Sequence, residues 1–263
     1  MSKKQRDLSD SDWVKFLGTA GARFVMIKQL RFSGGLWLHF KGKDIMLDPG
    51  PGALVRCVKS RPPLDPTKLD ACILTHRHLD HSNDINVMIE AMTEGGFKKR
   101  GFVFCPQDCL EQDPVIFKYI REFPRKIEIF EEGKSYKLGD LTFSTPIKNK
   151  HSVQTFGLVF DLGYTKISFI SDTGFFEELI PAYKAQIMVI NLVFFNRREQ
   201  YLHLCLDDAR RIIKETKPQK AILTHFGMTM LRNDPRKIAQ ELSDNTGVEV
   251  ISSYDGMTLV LEG

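Results

Sequence analysis

The sequence predicts an α/β protein built as a four-layer αββα sandwich, with two mixed β-sheets face to face and helices outside. Three observations lead there. Short apolar runs come first as hairpins and later alternate with amphipathic helical runs. The second half of the chain repeats the style of the first. No linker or short-period repeat divides the 263 residues, a length sufficient to bury one large core. One domain over 1–263 is expected, with residues 1–11 as a polar N-terminal extension.

Taken in order, Trp13 to Leu17 reads as a first strand ending in the glycine turn Gly18-Thr19-Ala20-Gly21, and Phe24 to Ile27 as a hairpin arm. Gly35 to Phe40 and Asp44 to Leu47 form a hairpin around Lys41-Gly42-Lys43. Asp48-Pro49-Gly50-Pro51-Gly52-Ala53 is a tight loop, and Arg56 to Pro66 a proline-containing connection. Leu69 to Leu74 is a short buried strand, Asp84 to Met92 has helical spacing, and Gly101 to Cys105 is a strand. Val115 to Phe123 reads as a short helix, Lys126 to Phe130 and Leu141 to Thr145 as strands, and Tyr136 to Asp140 as the turn before the second. Thr155 to Leu162, Lys166 to Ser171 and Ile187 to Phe195 are strands, with Phe175 to Tyr183 a helix broken near Pro181. Leu206 to Thr216 and Asp234 to Ser243 are helices, the second started by Asp234-Pro235. Lys220 to Leu223, Val248 to Ser252 and Met257 to Leu261 complete the strands.

Bulk composition narrows the class. A hydrophobic fraction of 42% with 27% charged residues is that of an ordinary soluble globular protein. A net charge of +4 favours an anionic substrate but falls short of a nucleic-acid-binding tail. The five cysteines (Cys57, Cys72, Cys105, Cys109, Cys205) show no CxxC pairing and read as reduced, buried thiols. The N-terminus has no apolar signal segment and no run reaches membrane-spanning length, so a cytoplasmic protein without a membrane partner is expected.

The chemistry concentrates in Thr75-His76-Arg77-His78-Leu79-Asp80-His81, where the strand Leu69 to Leu74 ends. Three imidazoles and a carboxylate so close together desolvate and repel one another unless a cation holds them. In an extended turn His76 and His78 point the same way, while Asp80 and His81 open the next helix and aim at a neighbouring point. One segment could thus supply half the ligands of two metals roughly 3.5–4 Å apart. The plain alternative is a solvated polar loop.

His-x-His-x-Asp-His after a strand resembles the signature of the metallo-β-lactamase fold hydrolases. Three further stretches look like that family's later motifs, in order: Asn149-Lys150-His151-Ser152, Phe169-Ile170-Ser171-Asp172-Thr173-Gly174 and Leu223-Thr224-His225-Phe226-Gly227. The resemblance implies His76, His78 and His151 on one metal, Asp80, His81 and His225 on the other, and Asp172 bridging. Nitrogen and oxygen ligands suit two Zn²⁺ ions, with Mn²⁺ or Fe²⁺ as alternatives. A hydroxide bridging the pair is then the expected nucleophile, its parent water acidified by the cations. Asp48 resembles the family's aspartate that orients a ligand histidine; an Asx turn residue is the competing reading. His39, inside its strand, is expected to face solvent or bond a neighbour.

His203, just before a helix, looks like the leaving-group histidine of the phosphodiesterase branch, which includes ribonuclease Z and the phosphoribosyl cyclic phosphodiesterase. Phe16-Leu17-Gly18-Thr19 resembles the start of ribonuclease Z, and Tyr254-Asp255-Gly256-Met257 resembles the cyclic phosphodiesterase. Two departures stand out. Only twenty residues separate His151 from Asp172, leaving no room for the protruding arm of tRNA-processing ribonuclease Z. Asn191 stands where the branch usually has an acid pairing with the leaving-group histidine; an amide can orient His203 without raising its pKa. The zinc-binding cysteines near the N-terminus of the cyclic phosphodiesterase are also absent.

The expected activity is therefore hydrolysis of a phosphodiester by a dinuclear centre, with His203 as general acid and Asp80 as a catalytic as well as metal-binding residue. Expected partners are a small phosphodiester or nucleotide-like substrate, with nucleic acid a second candidate, and the chain is a monomer or homo-oligomer. The rival readings are a carboxyl-ester, thioester or lactone hydrolase on the same metals, and a non-catalytic metal-dependent nucleotide or nucleic-acid binding protein.

Overall fold

The computed structural model describes residues 11–262, so the expected extension lies almost wholly outside the described residues. The first sheet holds β1 (Trp13–Phe16), β2 (Leu36–Phe40), β3 (Lys43–Leu47), β4 (Ala71–Ile73), β5 (Phe102–Cys105), β6 (Lys126–Ile129) and β14 (Thr258–Val260), ordered β14-β1-β2-β3-β4-β5-β6. The second holds β7 (Lys134–Leu138), β8 (Leu141–Thr145), β9 (Leu158–Asp161), β10 (Lys166–Ile170), β11 (Ile187–Asn191), β12 (Lys220–Thr224) and β13 (Glu249–Ser252), ordered β13-β12-β11-β10-β9-β8-β7. Both sheets are mixed. Strands β3 to β6 run parallel, as do β10 to β13, and the remaining pairs are antiparallel.

Connection length decides which pairs are which. Lys41 and Gly42 (φ 49° and 67°) close the β2–β3 hairpin in two residues, both in the left-handed region that such a turn demands. Parallel neighbours need a crossover. Five of the six are supplied by α2 (Ala53–Val58), by α3 (Leu79–Ser82) with α4 (Ile85–Met92), by α5 (Leu179–Ala182), by α6 (Leu206–Thr216), and by α7 (Met228–Arg232) with α8 (Pro235–Thr246), while β5 reaches β6 through 3₁₀ turns alone.

Side chains alternate across each strand and build three cores. Between the sheets, Leu38, Phe40, Ile45 and Leu47 meet Phe143, Phe160, Val189 and Ile222; the Phe40 ring stands edge-on to Phe160 at 5.3 Å. The opposite faces take Met46, Cys72 and Val103 onto Ala53, Cys57, Met88 and Ile89 of α2 and α4. Likewise Met188, Ile190 and Leu223 pack on Ile212, Ile213, Ile238 and Leu242 of α6 and α8. Two sheets inside and helices on both outer faces give the four expected layers. Helix α6 begins on a reciprocal cap, the Asp208 carboxylate accepting from the Cys205 amide at 2.9 Å. All five cysteines are buried and unpaired. No helix among the described residues is long and apolar enough to cross a membrane.

Several local expectations are corrected. Phe24 to Ile27 is not a hairpin arm but part of α1 (Ala22–Lys28). Strand β1 already has β2 on one edge and β14 on the other, so no edge is free to pair, and the segment turns away with Phe24 63% and Ile27 67% exposed. Tyr136 to Leu138 belongs to β7; Tyr136 and Leu138 are buried and Lys137 exposed, a strand alternation, and the turn is only Gly139-Asp140. The connection after Ala53 starts as α2, and α7 follows His225 where no helix was expected. Val115 to Phe123 yields a single 3₁₀ turn, Lys118–Glu122, and the helix around Pro181 is one turn long.

His39 behaves as its strand position implies. Its Nδ1 lies 2.7 Å from Asp44 Oδ1, and its ring stacks on Trp13 at 5.3 Å. The Asp44 hydrogen bond raises the His39 pKa against the opposing effect of burial. A raised folded value means the pair stabilises the fold below the unfolded histidine value of about 6.5 and stops doing so as pH rises through the folded value. Unfolding free energies of wild type and His39→Gln from urea titration should therefore differ by about 1 kcal/mol at acid pH, with the gap closing at alkaline pH. A gap independent of pH would contradict the assignment.

Candidate metal centre

Functional side chains gather where parallel strands end. Asp48 follows β3, the His76–His81 segment follows β4, Asp172 follows β10, Asn191 ends β11 and His225 follows β12. Because the two parallel halves point the same way, these C-terminal ends meet at one rim of the sandwich, the usual crevice of open α/β sheets. His151 comes from the loop between β8 and β9, and His203 from the segment preceding α6.

Ligand-type atoms assemble into overlapping sets, each within 4.8 Å: His76, His78 and His151; Asp80, His81 and His225; His76, His81 and Asp172; His151, Asp172 and His203. His78 Nδ1 faces His151 Nε2 at 3.1 Å, and His81 Nε2 faces His225 Nε2 at 3.2 Å. The Asp172 carboxylate stands between the triads, Oδ2 lying 3.9 Å from His76 Nε2 and 3.6 Å from His81 Nε2, and Oδ1 3.4 Å from His225 Nε2. Asp80 Oδ2 approaches His81 and His225 at 3.9 and 3.7 Å.

Hydrogen bonds on the outer side of the rings decide which nitrogen faces inward. Asp48, held at φ 52°, accepts from the Thr75 amide and hydroxyl at 2.7 Å each and from His81 Nδ1 at 2.9 Å. Since the Thr75 hydroxyl spends its proton on Asp48, it accepts from His76 Nδ1 at 3.0 Å and from Ser171 at 2.8 Å. His151 Nδ1 donates to the Leu202 carbonyl at 3.0 Å. All three rings thus turn Nε2 toward the cluster, the arrangement that metal-binding histidines take.

Electrostatics agree with that geometry. Burial holds His76 well below the ordinary histidine value and pushes His78 down to about 4; it lowers His203 as well. Among the ligand set, neutral His76 and His78 present lone pairs, and the buried His76 Nε2 has no hydrogen-bond partner. Burial opposes charge on His81 too, but Asp48, Asp172 and Asp80 outweigh it and hold its pKa well above normal. Asp172 is likewise kept ionised by His225, His203 and His81 despite its burial. The carboxylates that raise His81 would equally draw a cation into the cluster. The residues present therefore fit divalent metal: nitrogen and carboxylate donors, inward lone pairs and an orphaned buried nitrogen.

Two partners were not legible in sequence. Asn149 donates to the Ser171 and Asp172 carbonyls at 3.4 and 3.2 Å, and the buried Tyr183 hydroxyl ties Asn149 Oδ1 (2.7 Å) to the Gly157 amide (2.9 Å). Together they fix the His151 loop against the end of β10. Asn149, two residues before His151, offered a positional hint; Tyr183 offered none. Asn191 needs correcting: its Nδ2 donates to Asp172 Oδ1 at 2.9 Å rather than orienting His203. An amide at the end of β11 reaches the carboxylate closing the neighbouring β10. His203 instead is half-buried, with its Nδ1 3.5 Å from Asp172 Oδ2, that nitrogen being enclosed and without a hydrogen bond.

Close backbone packing locks the rim. A Cβ on Gly50 would sit 2.0 Å from the Ser33 carbonyl oxygen and 2.1 Å from that of Asp80, both main-chain atoms. Gly50→Ala should destabilise the protein by roughly 1–3 kcal/mol and weaken metal retention together, because relief requires moving the Asp80 backbone. Chemical denaturation and metal content measured on the same preparation check this, and an unchanged metal content would refute the link.

A family model described as the beta-lactamase superfamily domain matches residues 43–226, most of the chain and nearly all of the site. The chain belongs to the beta-lactamase superfamily. An uncharacterised protein of Methanocaldococcus jannaschii is 32% identical over 255 residues, covering 94% of each chain. Ribonuclease Z of Borrelia garinii subsp. bavariensis is 33% identical over 318 aligned positions, covering 94% of this chain and 96% of that one. The metallo-beta-lactamase fold protein YhfI of Bacillus subtilis superposes with a TM-score of 0.78 at 20% identity, over 96% and 100% of the two chains. The architecture is thus the metallo-β-lactamase sandwich, a hydrolase fold that implies divalent metal ions. The His/Asp cluster described above is consistent with them.

Proposed function

We propose that this superfamily member is a phosphodiesterase holding two divalent cations, zinc first among them, with His76, His78 and His151 around one, Asp80, His81 and His225 around the other, and Asp172 shared. The observation that carries the reading is the position of His203. It enters from outside both triads, on the loop before α6, and turns Nδ1 toward the shared carboxylate. When bound, the cations supply the charge that acidifies a water and offsets the negative phosphoryl group. The chain's own residues do the rest. Asp48, Thr75 and the Leu202 carbonyl hold three rings in one tautomer, Asn191 holds Asp172, and His203 is placed to give a proton to the departing oxygen, a role suited to alkoxide leaving groups.

Likeness to a ribonuclease Z supports phosphodiester chemistry. Only β9 and β10 occupy the interval between His151 and Asp172, so no arm protrudes there, which supports a small substrate over a folded RNA. The test is metal analysis of purified protein with parallel assays on bis-p-nitrophenyl phosphate and a simple thioester. About two metal equivalents and diester hydrolysis are expected. Thioester hydrolysis alone would overturn the reading.

A further inference from the structure

The loop from β11 to α6 carries side chains that the metal cluster leaves unused. Tyr201 is 51% exposed, and its ring lies 5.7 Å from that of Phe194 at a 40° tilt. The Arg198 guanidinium stands 5.4 Å over Phe194. Phe194 in turn meets His203 edge-on at 5.8 Å, and His203 meets His151 edge-on at 5.0 Å. A continuous row of rings therefore leads from solvent to the cluster, past the residue assigned to proton donation. Lys150, next to His151 in the chain, holds its ammonium 4.6 Å over the Phe176 ring, and among the described residues neither it nor Arg198 forms an ion pair with a carboxylate. Neighbouring Arg197 is different, being tied to Asp208.

Flat rings beside unpaired cations make a surface for a planar, negatively charged ligand. Any nucleobase can stack on such a ring, and the cations meet the phosphate charge that accompanies it. We propose that Phe194 and Tyr201 form the shelf on which the base of a nucleotide-like substrate stacks, with Arg198 and Lys150 facing its negative charge. The inference rests on the phosphodiesterase reading above and narrows its substrate to esters bearing a nucleoside. Because the shelf adjoins His203, a nucleoside seated there is the departing group whose oxygen that histidine protonates.

Equilibrium titration of zinc-loaded full-length protein with adenosine monophosphate and with ribose phosphate separates base recognition from phosphate binding. Wild type should bind adenosine monophosphate roughly 5- to 150-fold more tightly, the span that one base–aromatic stack provides. Tyr201→Ala should erase most of that preference without changing the ribose phosphate affinity, and Tyr201→Phe should keep it. Equal binding of the two probes, binding of neither, or a preference that survives in Tyr201→Ala would overturn the shelf. Turnover is not read here, so failed diester hydrolysis would sink the phosphodiesterase reading while leaving this result to stand or fall separately.

Discussion

Asp172→Ala should fold, lose at least one of its metals, and hydrolyse diesters about 10³-fold or more slowly than wild type. Three features make this the most damaging single change in the cluster. Among the described residues, Asp172 is the one carboxylate that approaches histidines of both triads, with oxygens 3.4 to 3.9 Å from His76, His81 and His225. It is buried, so no solvent group replaces it. Its removal also leaves the Asn191 amide without its acceptor. The fold should survive because the inter-sheet core is built from other residues. Metal content, circular dichroism and rate measured on one preparation test all three points; full metal occupancy with normal activity would remove Asp172 from the centre.

His203→Ala should behave differently. Metal should stay, since His203 belongs to neither triad, yet the rate on a diester with an alkyl leaving group should fall by roughly 10²–10⁴-fold, the usual contribution of general acid catalysis. With p-nitrophenolate, which departs without needing a proton, the loss should be far smaller. That contrast separates a proton donor from a residue that merely packs: His203 also lies edge-on against His151 and Phe194, and lost packing would slow both substrates alike. Equal losses on the two leaving groups would reduce His203 to a positioning residue.

The legible part of the site is the part written in contiguous residues. Strand Ala71–Ile73 ends where the apolar run ends, and the spacing of His76, His78, Asp80 and His81 distributes them between two sets because alternation and helix start act over one or two residues. The paired sheets were legible as well, since strands buried on both faces read as apolar runs joined by turns or helices. The helix α1 was not: its apolar residues look like a strand, and only the filled edges of β1 make a hairpin arm impossible. Asn191 was misread for the same reason, its partner depending on the order of β10 and β11 within the sheet.

By itself the chain's sequence named the histidines and aspartates that the fold brings together, and the strand end or loop that delivers each. Tertiary structure alone decided which nitrogen of each ring turns inward, because the choice depends on groups from other segments: Asp48 behind His81, the Leu202 carbonyl behind His151, and again Asp48, which makes the Thr75 hydroxyl next to His76 an acceptor. A hydrogen bond between residues dozens of positions apart has no local signature, since it exists only once the two sheets have closed on each other and excluded the water that would otherwise take its place.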